Sequence, residues 1–233
     1  MFHRHVCAIL LVPALGAAVA IPAAAQASDK QKICSQVQNR EASVGTWASY
    51  NWTGGQTGGS TMRMAVVGTE PHEGTTFYWY EMTIDDPKRP QAKMIIQTLV
   101  PGLAGTGRVR AVIMKTGDQP AMRLPPQMIQ MINNTPGMNM PAELARQCLG
   151  MEVVGWESVT VPAGQFRALH MRTAARAMVS DVWVQPDLQF AMVKSILKDG
   201  GVMELAGQGS GAKSSITETP VEMPGLPGAS PPR

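Results

Sequence analysis

The sequence predicts a mainly β domain of α+β type: one large antiparallel sheet of about ten strands, interrupted midway by short helices. Three observations predict it. From Thr46 to Gly207 the dominant hydropathy period is two residues. The gaps between periodic runs are short and rich in Gly, Pro and Asp, as in Gly54–Gly59, Asp85–Pro90, Pro162–Gly164 and Asp199–Gly201. No long amphipathic helix alternates with the strands, which argues against a parallel βαβ sheet.

Residues 1–27 open with Arg4 and two histidines, continue through an apolar stretch from Val6 to Ile21, and close on Ala25-Gln26-Ala27. That layout predicts a cleavable secretory signal peptide with its cut after Ala27. The apolar stretch is broken by Pro13 and Gly16 and is shorter than the roughly 20 residues of a membrane span. Cys7 begins the apolar run instead of following it, so the mature chain is expected to be unlipidated. No later segment reads as transmembrane. Of the charged residues only Arg4 is lost on cleavage, so the net charge falls from +3 to +2. That is too weak to favour nucleic acid or an anionic surface. The remaining 233 − 27 = 206 residues suit one domain.

Ser28-Asp29-Lys30-Gln31 has the form of a capping box and predicts a helix near 29–40 that carries Ile33, Cys34 and Val37 on one side. Ten strands are expected next: Thr46–Thr53, Thr61–Val67, Thr75–Ile84, Lys93–Leu99, Arg108–Thr116, Met151–Val161, Gln165–Thr173, Met178–Gln185, Phe190–Lys198 and Gly201–Gly207. Between the fifth and sixth, the segment PPQMIQMINN reads as a short helix and Pro141–Leu149 as another, placing helices near 125–149. Helices inserted midway through a sheet must pack on one of its faces. The domain is expected to span 28–207. Residues 208–233 carry five prolines among small and polar residues and read as a disordered tail.

Two cysteines remain after cleavage, Cys34 and Cys148. Both are placed to face inward from short helices, and an exported chain meets an oxidising environment, so they are expected to form a disulfide. Two buried thiols are the alternative. A metal site would need more ligands than His72 and His170 supply.

The run VGWESVTVPAGQFRALHMRTA, followed by SDVWVQPDLQFAMVKSILKDGGVMELAGQG, resembles the superfamily of bacterial envelope proteins that includes the outer-membrane lipoprotein carrier and its receptor. The resemblance covers roughly Ser43 to Gly207. It implies a curved half-barrel with short helices packed on its concave face, residence in the periplasm, and an acyl chain or other apolar ligand held between sheet and helices. It carries over no catalytic residues.

The 17 methionines include Met62-Arg63-Met64, Met128-Ile129-Gln130-Met131 and Met138-Asn139-Met140. Thioethers at these spacings suit Cu(I), but methionine is also a flexible apolar filler and a lining for ligands of varied shape. Candidate ligand-lining residues are Met128, Met131 and Ile132 on the helix, with Phe166, Trp183 and Met192 on strands. Met128, Met131 and Ile132 are expected to face the sheet. His170 reads as a satisfied sheet residue, and Glu70, His72 and Glu73 as a solvated loop. Phe77-Tyr78-Trp79-Tyr80 reads as strand packing. The sequence contains no GxSxG, HExxH or phosphate-binding glycine loop. No catalytic residue, cofactor or metal is expected. The sequence therefore points to a non-enzymatic periplasmic binding or carrier protein for a lipid or lipoprotein acyl chain. The alternative is an interaction module of the cell envelope that binds a protein partner. Copper handling comes third.

Overall fold

The structure is a computed structural model that describes residues 28, 30–35, 42–72, 74–101, 108–135, 148–173 and 179–224. The predicted signal peptide with Cys7, the second half of the first predicted helix, most of 141–149 and the end of the tail lie outside the described residues. Twelve strands form one sheet: β1 (Trp47–Thr53), β2 (Thr61–His72), β3 (Thr75–Asp85), β4 (Met94–Val100), β5 (Ala111–Thr116), β6 (Met122–Arg123), β7 (Glu152–Val161), β8 (Gly164–Arg172), β9 (Val179–Val184), β10 (Met192–Leu197), β11 (Val202–Gly209) and β12 (Val221–Glu222). Their order is β12-β6-β5-β4-β3-β2-β1-β11-β10-β9-β8-β7. All ten expected strands are present, with shifted ends. Two strands of two residues, β6 and β12, were not predicted, and β12 lies parallel to β6, so the sheet is mixed and not wholly antiparallel.

Local chemistry sets the hairpins. The Val-Pro-Ala-Gly turn joins β7 to β8, and Gly164 adopts φ +128°, a conformation that disfavours a side chain. The sheet is curved. The Ala163 N–H in that turn donates to the Leu205 carbonyl of β11 at 3.0 Å, although β8, β9 and β10 lie between β7 and β11 in the sheet order.

Register places the short helices on one face. In rows across the sheet, Ile96 of β4 opposes Met82 of β3, Met82 opposes Met64 of β2, and Met64 opposes Ala48 of β1. Trp52, on the same face as Ala48, opposes Met203, which continues through Ser195 and Val182 to Met171. Helix α1 (Pro126–Asn134) packs beside Ile96 and Val112 in one cluster. Ile33, in the helical residues 30–35, packs with Met171 and Val182 in another. Cys34 is bonded to Cys148 and fastens that helix to the start of β7.

The opposite face differs from the sequence expectation. Composition predicts residues 208–224 to be part of a disordered tail. Instead, after β11 the chain crosses the outer face of β1 to β5 and ends as β12 beside β6. The Ser215 N–H and hydroxyl donate to the two oxygens of Glu81 at 2.8 and 2.6 Å, and Gln97 Nε2 donates to Glu81 at 2.8 Å. Ile216 packs with Ile95, Ile113 and Ala121. Lys115 pairs with Glu218. Composition misled because it counts a segment's own apolar groups, whereas this segment is held mainly by polar contacts with the sheet.

Candidate functional site

The helix-bearing face of β2 to β6 carries an aligned row: Met64, Met82, Ile96, Met114 and Met122. All five side chains are half-buried. Met62, Ile84 and Met94 form the next row. The methionines reach this face because MxM on β2 and Met82, Met94, Met114 and Met122 on the neighbouring strands all fall on the same phase of the two-residue period. None of the eight is charged.

Helix α1 covers one end of this surface. Pro126 occupies its first turn, where a missing N–H is harmless. At the other end Asn133 accepts from the Val109 N–H at 2.8 Å and donates to the Val109 carbonyl at 2.7 Å, which ties the helix to the segment before β5. Ile129 is buried, and Met128 and Ile132 pack against the sheet with Met114 and Ile96. Met131 does not face the sheet as expected: it is 41% exposed. Positions 128, 129 and 132 form the inward stripe, and Met131 lies a quarter-turn or so outside it.

Two polar groups interrupt the surface. Trp52 Nε1 and the Tyr80 hydroxyl are buried without a protein partner. Burial, with the neighbouring Tyr78, pushes the Tyr80 hydroxyl well above the usual tyrosine range. Tyr50 is also pushed up by burial, but its hydroxyl donates to the Phe190 and Met192 carbonyls.

The strand candidates adjoin one end of this surface. Phe166 and Trp183 belong to the central cluster around Tyr50, Val193 and Leu205, and Met192 touches both this cluster and that of Ile33. That cluster also takes in Met62, Met64, Met82 and Ile84, so Phe166, Trp183 and Met192 continue the methionine face toward β8 to β10, and Met128 and Ile132 sit at its other end with Ile96 and Met114.

His170 is the centre of a polar cluster. Its Nδ1 lies 2.9 Å from Glu157 Oε1 and its Nε2 lies 2.7 Å from Asp181 Oδ1. The ring stacks on Trp183 at 4.2 Å. The Trp183 indole N–H donates to Glu157 at 2.8 Å, and Arg172 donates to Asp181 at 2.8 Å. The Trp183 bond, helped by His170, holds the Glu157 carboxyl below the usual range against the upward push of burial. Burial pushes Asp181 up, but the bonds from His170 and Arg172 outweigh it and hold this carboxyl down as well. Both ring nitrogens are engaged and one ring face is covered, so the cluster ties β7, β8 and β9 together. Among the described residues no group of three or more His, Cys, Asp or Glu is placed to hold a metal ion.

The row of Met64, Met82, Ile96, Met114 and Met122 was not found from sequence. Alternation assigns a face within each strand, but lining up five strands needs their register. The bulge between Val66 and Gly68 alters that register within the β2–β3 hairpin.

No family model matches the chain, and no curated protein matches it. Among solved structures it is similar to MucB in complex with MucA(peri), at 10% identity and a TM-score of 0.44, over 83% of this chain and 59% of that one. It is also similar to the MucA/MucB complex of Pseudomonas aeruginosa, at 13% identity and a TM-score of 0.44, over 81% and 58% of the two chains. A third is a protein with a YmcC-like fold from Bacteroides fragilis, at 12% identity and a TM-score of 0.33, over 72% and 97%. The chain thus spans about three fifths of the MucB-complex chains it matches. At these scores the function has to be read from the molecule's own groups. Among the described residues no helix is long and apolar enough to cross a membrane.

Proposed function

We propose that the chain is a non-enzymatic binding or carrier protein of the bacterial envelope that holds the apolar chain of a lipid or lipoprotein on its methionine face. The observation that carries this reading is the aligned, half-buried row from Met64 to Met122. It crosses four strand spacings, about 19 Å, which suits one extended acyl chain. Unbranched thioether side chains adapt to a flexible apolar ligand better than branched ones do. Helix α1 closes one end, where Met128 and Ile132 add to the lining. Trp52 Nε1 and the Tyr80 hydroxyl on this face are buried without a protein partner, and headgroup oxygens would satisfy them, so an amphipathic ligand suits the face.

Titration of the purified chain with a fluorescent fatty-acid analogue tests this. Saturable binding is expected. Met82→Lys places a charge in the row, and binding falls by about ten-fold or more while the fold survives by circular dichroism. Met131→Ala, at an exposed position, leaves binding unchanged. Absence of saturable binding, or equal binding by a folded Met82→Lys variant, defeats the proposal.

A further inference from the structure

At the β6 end of the sheet, methionines meet from β5, β6, α1 and the residue after β12. Met114 of β5 stands directly opposite Met122 of β6, a pairing that brings Cβ atoms to about 4.5–5.5 Å. In the parallel ladder of β6 and β12, Val221 pairs with Met122. Met223, two residues further on, therefore follows on the same face, beside Leu124. Met128 reaches this face from α1. Met114, Met128 and Met223 pack on one buried group that includes Val112, Leu124 and Ile129.

The charged neighbours point away. Lys115, Arg123 and Glu222 alternate with Met114, Met122 and Val221, so they fall on the opposite face. There Lys115 pairs with Glu218, and Arg123 lies 3.7 Å from Glu222 and 5.8 Å from the Trp79 ring centroid. All four methionines are half-buried, so none is sealed in the core. Val221, beside them, is 51% exposed and marks an open side.

Thioether sulfur is a soft, uncharged donor. It suits Cu(I) and Ag(I), whereas hard cations need carboxylate, carbonyl or water oxygen. The side chain is unbranched and flexible, so several sulfurs can close round one ion without moving the backbone. Packing alone does not call for this composition. Leucine or isoleucine would fill the same space with better-defined rotamers.

We infer that Met114, Met122, Met128 and Met223 form a binding site for one monovalent soft metal ion, Cu(I) or Ag(I). The inference stands without the acyl-chain reading, because it needs sulfur where that reading needs only apolar surface.

Silver nitrate in chloride-free buffer is the probe. The full chain carries Cys7→Ser, which removes the thiol outside the Cys34–Cys148 pair. Carbon–proton spectra of the methionine methyl groups are expected to show saturable shifts at Met114, Met122, Met128 and Met223, with one ion bound by native mass spectrometry. The methyls of Met131, exposed on α1, and Met203, buried on β11, stay in place. Met114→Leu/Met122→Leu conserves volume and keeps the fold by circular dichroism. It weakens silver binding at least about ten-fold, because leucine offers no donor. Shifts spread evenly over all methionines, shifts that do not saturate, equal shifts with calcium, or unchanged silver affinity in the folded double variant overturns the assignment.

Discussion

Glu81 illustrates how a residue's role depends on what covers it. In the run YWYEMTID it stands where an outward polar residue is expected, and alternation reads it as solvated. In the structure it is 2% exposed and accepts three hydrogen bonds, two of them from Ser215. The period was legible; the cover was not, because it comes from a segment 134 positions away. Glu157 and Asp181 give a prediction at the same scale. Both carboxyls are held below their usual values in the folded chain. Groups of this kind stabilise the fold fully above the unfolded-state value, near pH 4, and the contribution is lost as pH falls through the lower folded value. Thermal stability is therefore expected to be level from about pH 7 to 5 and to fall below about pH 4. Trp183→Phe removes the largest cause acting on Glu157, and melting curves across this range should show a shallower acid decline for the variant.

Elements were legible where local chemistry settles them. The Pro-Pro start and close apolar spacing announced α1, and Gly- and Pro-rich turns announced ten strands. The inward stripe of α1 was not settled, because apolar residues at 128, 129, 131 and 132 allow more than one stripe. The crossing segment after β11 failed for a different reason: its partners are polar atoms on strands far away in sequence. Deleting residues 210–233 is expected to lower the melting temperature by about 5–10 °C, since it uncovers Glu81 and Ile113 and removes β12 from the edge of β6. Differential scanning calorimetry measures this, and an unchanged transition would show that the segment only rests on the sheet.

At the scale of the molecule, the sheet consists of two sequential halves, β1 to β6 and β7 to β11, joined where β1 pairs with β11. Sequence reasoning found the strands of each half but not that seam, because no local signal pairs a first strand with an eleventh. The Cys34–Cys148 disulfide adds a second long-range link, with a sequence separation of 114. Cross-linking so long a loop contributes up to about 4–5 kcal/mol. Cys34→Ala/Cys148→Ala is expected to unfold at lower urea concentration with a similar dependence on denaturant, as circular dichroism can record.

The seam sets the timing of folding. Trp47 pairs with Gly209, so the central ladder cannot zip until nearly the whole chain is present, and the far edge is completed only by residues 221–222. Hairpins can flicker into existence early, but the cooperative structure must wait for the C-terminus. Pairings at such separations make folding slow relative to helical domains of equal size. Until residues 221–222 are made, strands already synthesised keep unpaired edges that other chains can reach.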